Sequence, residues 1–199
     1  MARATRLVLA SSSPRRMEVL SRSGLRFDVV RPGIDEVPPV PMPPIRYVQW
    51  AAEAKARAVA KRVRNALVVG ADTEVVLDGK VFGKPMDRLH ARRMLRALSG
   101  RTHVVYTAIH VIDAASGDTT HGYSRTRVTL RRLSDRQIDA YVRTGEVQDK
   151  AGAYAIQARG RSLVRKIEGP FDNVVGMPMH LLRRLLREYG VSLPPPPEK

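Results

Sequence analysis

Ala66-Leu67-Val68-Val69-Gly70-Ala71-Asp72-Thr73 is the stretch on which the reading of this chain turns. Residues 66–71 are a continuous apolar run, too short for a buried helix and without a polar alternate. That is the pattern of a central strand of a parallel sheet, covered on both faces, and it ends at Asp72. Upstream, residues 6–10 read as a short buried strand. Ser13-Pro14 then opens a helix, with Ser13 as N-cap and proline at the first helical position. Met17, Leu20 and a stop at Gly24 fit that short helix, and residues 27–30 form a second strand. Six prolines between 32 and 44 make a loop that excludes regular structure. A helix over 45–64 leads into the central strand. Downstream, Val75-Val76-Leu77 and Val81-Phe82 flank Asp78-Gly79, a hairpin signal. A helix over 87–98 stops at Ser99-Gly100. Two long strands, 102–112 and 123–130, are joined by residues 114–118. A helix over 134–144 has Ser134 as N-cap. Short strands are expected near 153–156 and 162–167, then a last helix over 178–189. The pattern predicts one α/β domain over residues 1–190, built as two lobes, with a Pro-rich tail over 191–199. Pro194 to Pro197 reads as a frayed polyproline segment.

Composition narrows the function classes. The 199 residues carry 35 basic and 19 acidic side chains, a formal charge of +16, with 43% apolar and 27% charged residues. These are globular proportions. With no cysteine, a disulfide scaffold, a thiolate metal site and a cysteine nucleophile are excluded. No apolar run approaches the roughly 20 residues of a membrane helix, and 7–10 is too short for a signal-peptide core. These features are compatible with the cytoplasm. The basic excess attracts anions, whether nucleic acid, acidic membrane or phosphorylated small molecules. The arginines are dispersed, in pairs such as Arg15-Arg16 and Arg183-Arg184. Only ten aromatic residues accompany them, so stacking platforms for nucleic acid are scarce.

Three local patterns carry chemistry. Ser11-Ser12-Ser13-Pro14-Arg15-Arg16 sits where a strand enters a helix N-terminus. There, free N–H groups, serine hydroxyls and the Arg15 fork suit an anion. Asp72 follows the end of an apolar strand, where open α/β sheets place ligands, and Glu74 shares its face. Lys55 lies in the seam Val48, Ala52, Lys55, Val59, Val63, where a lysine either snorkels or meets an anion. Lys84, in Gly83-Lys84-Pro85, can aim a second ammonium at the same anion. Asp35-Glu36 in the proline-rich loop can supply metal-binding oxygens. The five histidines form no zinc pattern, and there is no Walker loop or Gly-x-Ser-x-Gly elbow. What remains is Ser11, Arg15, Lys55 and Lys84 to hold a polyphosphate, with Glu36 and Asp72 to hold a divalent cation or activate water. That set suits hydrolysis of a phosphoanhydride.

At these residues the sequence resembles the Maf family of nucleoside triphosphate pyrophosphatases. The resemblance runs from about residue 7 to 186. It rests on Leu9-Ala10-Ser11-Ser12-Ser13-Pro14-Arg15-Arg16, Glu53-Ala54-Lys55-Ala56, Gly70-Ala71-Asp72-Thr73 and Gly83-Lys84-Pro85. It continues in residues 94–100 with His103, then Asp149-Lys150-Ala151-Gly152-Ala153-Tyr154-Ala155-Ile156-Gln157 and Val174-Val175-Gly176-Met177-Pro178. It implies an elongated mixed β-sheet flanked by helices, two lobes with a central cleft, and commonly a homodimer. It implies a cytoplasmic enzyme that splits a nucleoside triphosphate into monophosphate and pyrophosphate with a divalent metal, magnesium or manganese. Asp72 then matches the catalytic proton acceptor. Arg15, Thr73 and Gln157 match positions that set substrate choice. Ser11, Glu36, Lys55 and Lys84 match the phosphate- and metal-binding cleft. Residues 149–157 resemble the branch acting on dTTP and UTP. Three departures stand out: Ala155 where that branch often has glycine, Arg159 where a small residue is usual, and Glu74 where many members are apolar. A basic nucleic-acid-binding module and a cell-division regulator acting by protein contact are the alternatives from other classes.

Overall fold

The computed structural model describes residues 6–193. Its spine is one strand, β3 (Ala66–Leu77), twelve residues long. The apolar run therefore does not stop at Asp72. It continues through Asp72, Thr73 and Glu74 into Val75, Val76 and Leu77 as a single strand, a correction to the sequence reading. The reason is its neighbour β5 (Thr102–Asp113), which pairs antiparallel with β3 from Leu67 to Val76 and satisfies one edge throughout. The other edge is shared. β1 (Arg6–Ala10) runs parallel along residues 66–70. β4 (Lys80–Phe82) returns antiparallel along residues 75–77. Between them, residues 71–74 have no strand partner on that edge among the described residues.

The remaining strands extend the sheet to both sides. β2 (Asp28–Val30) lies parallel to β1. β6 (Thr119–Leu130) pairs antiparallel with β5, and β7 (Val164–Glu168) with β6. The order is β2-β1-β3-β5-β6-β7, with β4 on β3. The sheet is thus mixed, parallel at one end and antiparallel at the other. The β3–β4 turn is the expected hairpin, with Asp78 at φ 50° and Gly79 at φ 74°.

Side chains alternate along β3, so its two faces meet different helices. Val68, with Val8 and Ala10 of β1, packs on Ala56 and Val59 of α2 (Pro44–Ala60). Leu67 and Val69, with Leu7 and Leu9, pack on the other face against Leu182 and Leu185 of α6 (Met179–Arg187). Farther along that face, Val75 and Leu77 meet Leu95 and Leu98 of α3 (Arg88–Leu98) and Ile138 of α4 (Asp135–Arg143). The apolar interior is therefore built on both faces of β3, with separate groups against α2, α6 and the α3–α4 pair. α4 carries the expected cap at Ser134 as a full capping box with Gln137.

Several boundaries differ from the sequence reading. α1 (Pro14–Ser21) begins as expected, but the Ser13 hydroxyl makes no cap bond; instead its N–H donates to Ser11 Oγ at 3.1 Å. α2 ends at Ala60 rather than Arg64, although Val63 still packs on the core. Residues 153–156 are not a strand. Gly152 and Ala153 stand at φ 72° and 59°, which no strand tolerates, and Ala155 N–H donates to the Tyr141 hydroxyl at 2.9 Å. A short helix that the sequence pattern does not announce, α5 (Phe171–Val175), follows β7. Val191 and Leu193 pack against the α6 side of the core. The polyproline segment expected at Pro194 to Pro197 lies outside the described residues.

Gly70 sets how closely α2 lies on β3. A Cβ there would stand 2.3 Å from the Ala52 carbonyl oxygen and 2.7 Å from Ala56 N. Only a shift of helix backbone relieves such an approach. Gly70→Ala is expected to lose about 1–3 kcal/mol, the range for overpacking a filled core. Urea unfolding against the parent chain measures it.

Candidate active site

The unpaired stretch of β3 lines a cavity. It has a volume of about 910 Å³, large for a small-molecule site. All eight residues singled out in the sequence line it: Ser11, Arg15, Glu36, Lys55, Asp72, Thr73, Lys84 and Gln157. They come from six segments. Ser11 and Arg15 arrive from the β1–α1 turn, Glu36 from the proline-rich loop and Lys55 from α2. Asp72 and Thr73 stand on β3, Lys84 follows β4, and Gln157 closes the irregular segment after α4.

At the centre, the Lys55 ammonium bridges two carboxylates. Nζ donates to Asp72 Oδ1 at 2.5 Å and lies 2.7 Å from Glu36 Oε2. Lys55 and Asp72 are each 6% exposed. The apolar seam on α2 therefore delivers an ammonium into the cavity wall rather than to bulk water. Asp72 Oδ2 is buried and has no hydrogen-bond partner. Glu74 stands on the same face, and its buried Oε2 is likewise unpartnered. Burial, and then the Asp72 carboxylate, push the Glu74 carboxyl up to about 8. Tyr47 also lines the cavity, and its hydroxyl donates to the Glu36 carbonyl at 3.2 Å, which ties the loop to α2.

Thr73 points to the opposite face of β3 and joins a directed chain of hydrogen bonds. Thr107 Oγ1 donates to the Asn173 carbonyl at 2.8 Å, so its only proton is used. Thr73 must then be the donor in its 3.0 Å contact with Thr107, and it accepts from Arg16 Nη2 at 3.0 Å. This leaves the Thr73 hydroxyl one lone pair and no proton for a ligand. Arg16 Nε donates to the Gly176 carbonyl at 3.0 Å, so the guanidinium is clamped at two points on the cavity wall. Tyr154 is tied to His103 at 2.7 Å and Ala155 to Tyr141, which holds the segment that presents Gln157.

Sequence reasoning gives Arg15 the anion-binding part and leaves Arg16, its neighbour in the same motif, without one. Two adjacent helix residues diverge by about 100°, and only the fold shows that both reach the cavity. Tyr47, Thr107 and Asn173 escape the sequence reading too. A threonine inside a long strand, or a tyrosine in an apolar helix, carries no distinguishing pattern.

Among the described residues, no three His, Cys, Asp or Glu side chains are grouped to hold a metal ion. The orphaned Asp72 Oδ2 nevertheless suits a hard cation, which is commonly bound through one or two carboxylates with phosphate oxygens completing the shell. No helix among the described residues is long and apolar enough to cross a membrane.

Comparison with known proteins identifies the family. The profile of the family described as "Maf-like protein" matches residues 6–189. A protein of Moorella thermoacetica named dTTP/UTP pyrophosphatase is 51% identical over 189 residues, covering 95% of this chain and 97% of its own. One of the same name from Pelotomaculum thermopropionicum is 46% identical over 187 residues, covering 94% and 98%. Among solved structures, the Staphylococcus aureus Ham1 protein superposes with a TM-score of 0.53 at 13% identity, covering 92% of this chain and 97% of that one. That last likeness concerns the fold alone.

Lys55→Met tests the central bridge. It leaves the Asp72 carboxylate buried without its cation, and removing one member of a buried pair costs about 3–5 kcal/mol. Combining it with Asp72→Asn, which removes the stranded charge, is expected to recover part of that loss. Urea unfolding of the two variants measures both effects; a single variant as stable as the parent contradicts the bridge.

Proposed function

The chain belongs to the Maf family, and we propose that it is a nucleoside triphosphate pyrophosphatase. It would hydrolyse dTTP and UTP to the monophosphate and pyrophosphate. The observation that carries this is the combination within one cavity of Arg15, Arg16, Lys55 and Lys84 with Asp72, whose Oδ2 is unpartnered. Four cations are suited to a triphosphate. One positioned carboxylate oxygen suits the water that attacks it.

In this reading Ser11 and Arg15, at the start of α1, and clamped Arg16 take one part of the polyphosphate. Lys84 takes another. The Lys55 bridge fixes the Asp72 carboxylate through Oδ1 and leaves Oδ2 without a protein partner, and in this reading a lone pair of Oδ2 accepts the proton of the attacking water. Attack falls on the α-phosphorus, and the charge that develops on the departing pyrophosphate is met by the lysines. Gln157 offers both a donor and an acceptor to the imide edge of thymine or uracil. Thr73, with its proton committed, can only accept. A divalent cation, magnesium or manganese, would be held through Asp72 and would supply charge neutralisation at the phosphates. A cytoplasmic homodimer is the setting this reading carries.

The test is turnover of UTP and dTTP with Mg²⁺, products being separated by chromatography without added pyrophosphatase. Monophosphate and pyrophosphate in equal amounts are expected. Asp72→Asn is expected to slow the reaction by about 10²–10⁴, the usual contribution of a general base, while leaving thermal unfolding cooperative. Diphosphate and orthophosphate as first products overturn the reading.

A further inference from the structure

Glu74 is the carboxylate that the proposed reaction leaves unused. It stands two residues after Asp72 on β3 and so shares its face. It lines the same cavity. Its Oε2 and the Asp72 Oδ2 are both buried and both without a hydrogen-bond partner. Asp72 itself is only 6% exposed. A buried carboxylate oxygen with no donor is costly, and two of them on one face of one strand compound that cost.

Lys55 does not relieve it. Its ammonium is engaged with Asp72 Oδ1 and Glu36 Oε2, at 2.5 Å and 2.7 Å. That engagement has a second consequence. The gap between Glu36 and Asp72, where a divalent cation would otherwise bridge them, already holds a positive charge. The unpartnered oxygens are those of Asp72 and Glu74. Oxygen donors of this kind are the preferred ligands of hard divalent cations. Two carboxylates suffice where a bound triphosphate completes the coordination.

We propose that the divalent cation of this chain is held by Glu74 Oε2 and one lone pair of Asp72 Oδ2, whose other lone pair stays open to the attacking water, and that Glu36 serves to hold Lys55 rather than the cation. The assignment rests on the pyrophosphatase reading for its demand for a cation, and it replaces Glu36 by Glu74 in the ligand set. Glu36 is then a positioning residue. Phosphate oxygens of the nucleotide supply the remaining ligands.

The experiment measures binding of Mn²⁺ to the full-length protein from the resonance of free Mn²⁺, with and without a dUTP analogue carrying an α,β-imido bridge. Nucleotide binding is followed independently by the fluorescence of Trp50, which packs 6.0 Å from cavity-lining Tyr47. In the presence of analogue, Glu74→Gln is expected to weaken Mn²⁺ affinity by about tenfold or more, since even indirect support of a ligand is worth that much. Glu36→Gln is expected to leave it nearly unchanged. Glu74→Asp, which keeps the charge but shortens the reach, serves if the glutamine variant fails to fold, and a similar loss is expected. Loss of Mn²⁺ affinity in Glu36→Gln with none in the Glu74 variants overturns the assignment. So does an analogue-bound parent chain that takes up no Mn²⁺. A parent chain that binds neither analogue nor Mn²⁺ overturns the pyrophosphatase reading as well.

Discussion

The Lys55 ammonium, held between Asp72 and Glu36, is the contact to which the rest of the site is fitted. A lysine on the apolar seam of a helix must find an anion or reach water. Here α2 lies so close on β3 that water is not the answer. That closeness is possible because Gly70 has no side chain to place against Ala52 and Ala56. The anion waiting one strand step beyond is Asp72, on the same face as Gly70. The proline-rich loop then brings Glu36 to the remaining side, anchored through its carbonyl by Tyr47. A helix, a strand and a loop are thus located relative to one another by a single charge.

The position of that charge follows from how the sheet is built. β1 gives way after residue 70 and β4 arrives only at residue 75, so four residues of a central strand have a free edge deep in the protein. Polar side chains are tolerated there because a cavity, not a packed strand, lies beside them. The alternation of the strand then sends Asp72 and Glu74 to one face and Thr73 to the other. The first face meets Lys55. The second meets Arg16 through a hydroxyl chain whose proton direction is set by the Asn173 carbonyl. One short stretch of backbone in this way organises both the carboxylates and one of the guanidinium groups.

Much of this is legible in the amino-acid sequence. The uninterrupted apolar run of 66–71 announces a covered central strand, the seam spacing marks Lys55 as anomalous, and Asp78-Gly79 marks the hairpin. What is not legible has identifiable physical causes. Asp-Thr-Glu looks like the end of a strand because polar residues in a central strand are normally excluded; only knowing where β1 and β4 stop explains their presence. The segment 153–156 has the apolar content of a strand, yet its backbone is satisfied by a tyrosine hydroxyl and left-handed turns, which local sequence does not reveal. Arg16 and Arg15 are indistinguishable as text.

The central claim is that Asp72 directs water to the α-phosphorus of a bound triphosphate. The most direct measurement is a single turnover of UTP by excess enzyme in H₂¹⁸O, with mass analysis of both products. The account predicts one ¹⁸O atom in the uridine monophosphate and none in the pyrophosphate. Label in the pyrophosphate, with unlabelled monophosphate, would place the attack on the β-phosphorus and contradict it.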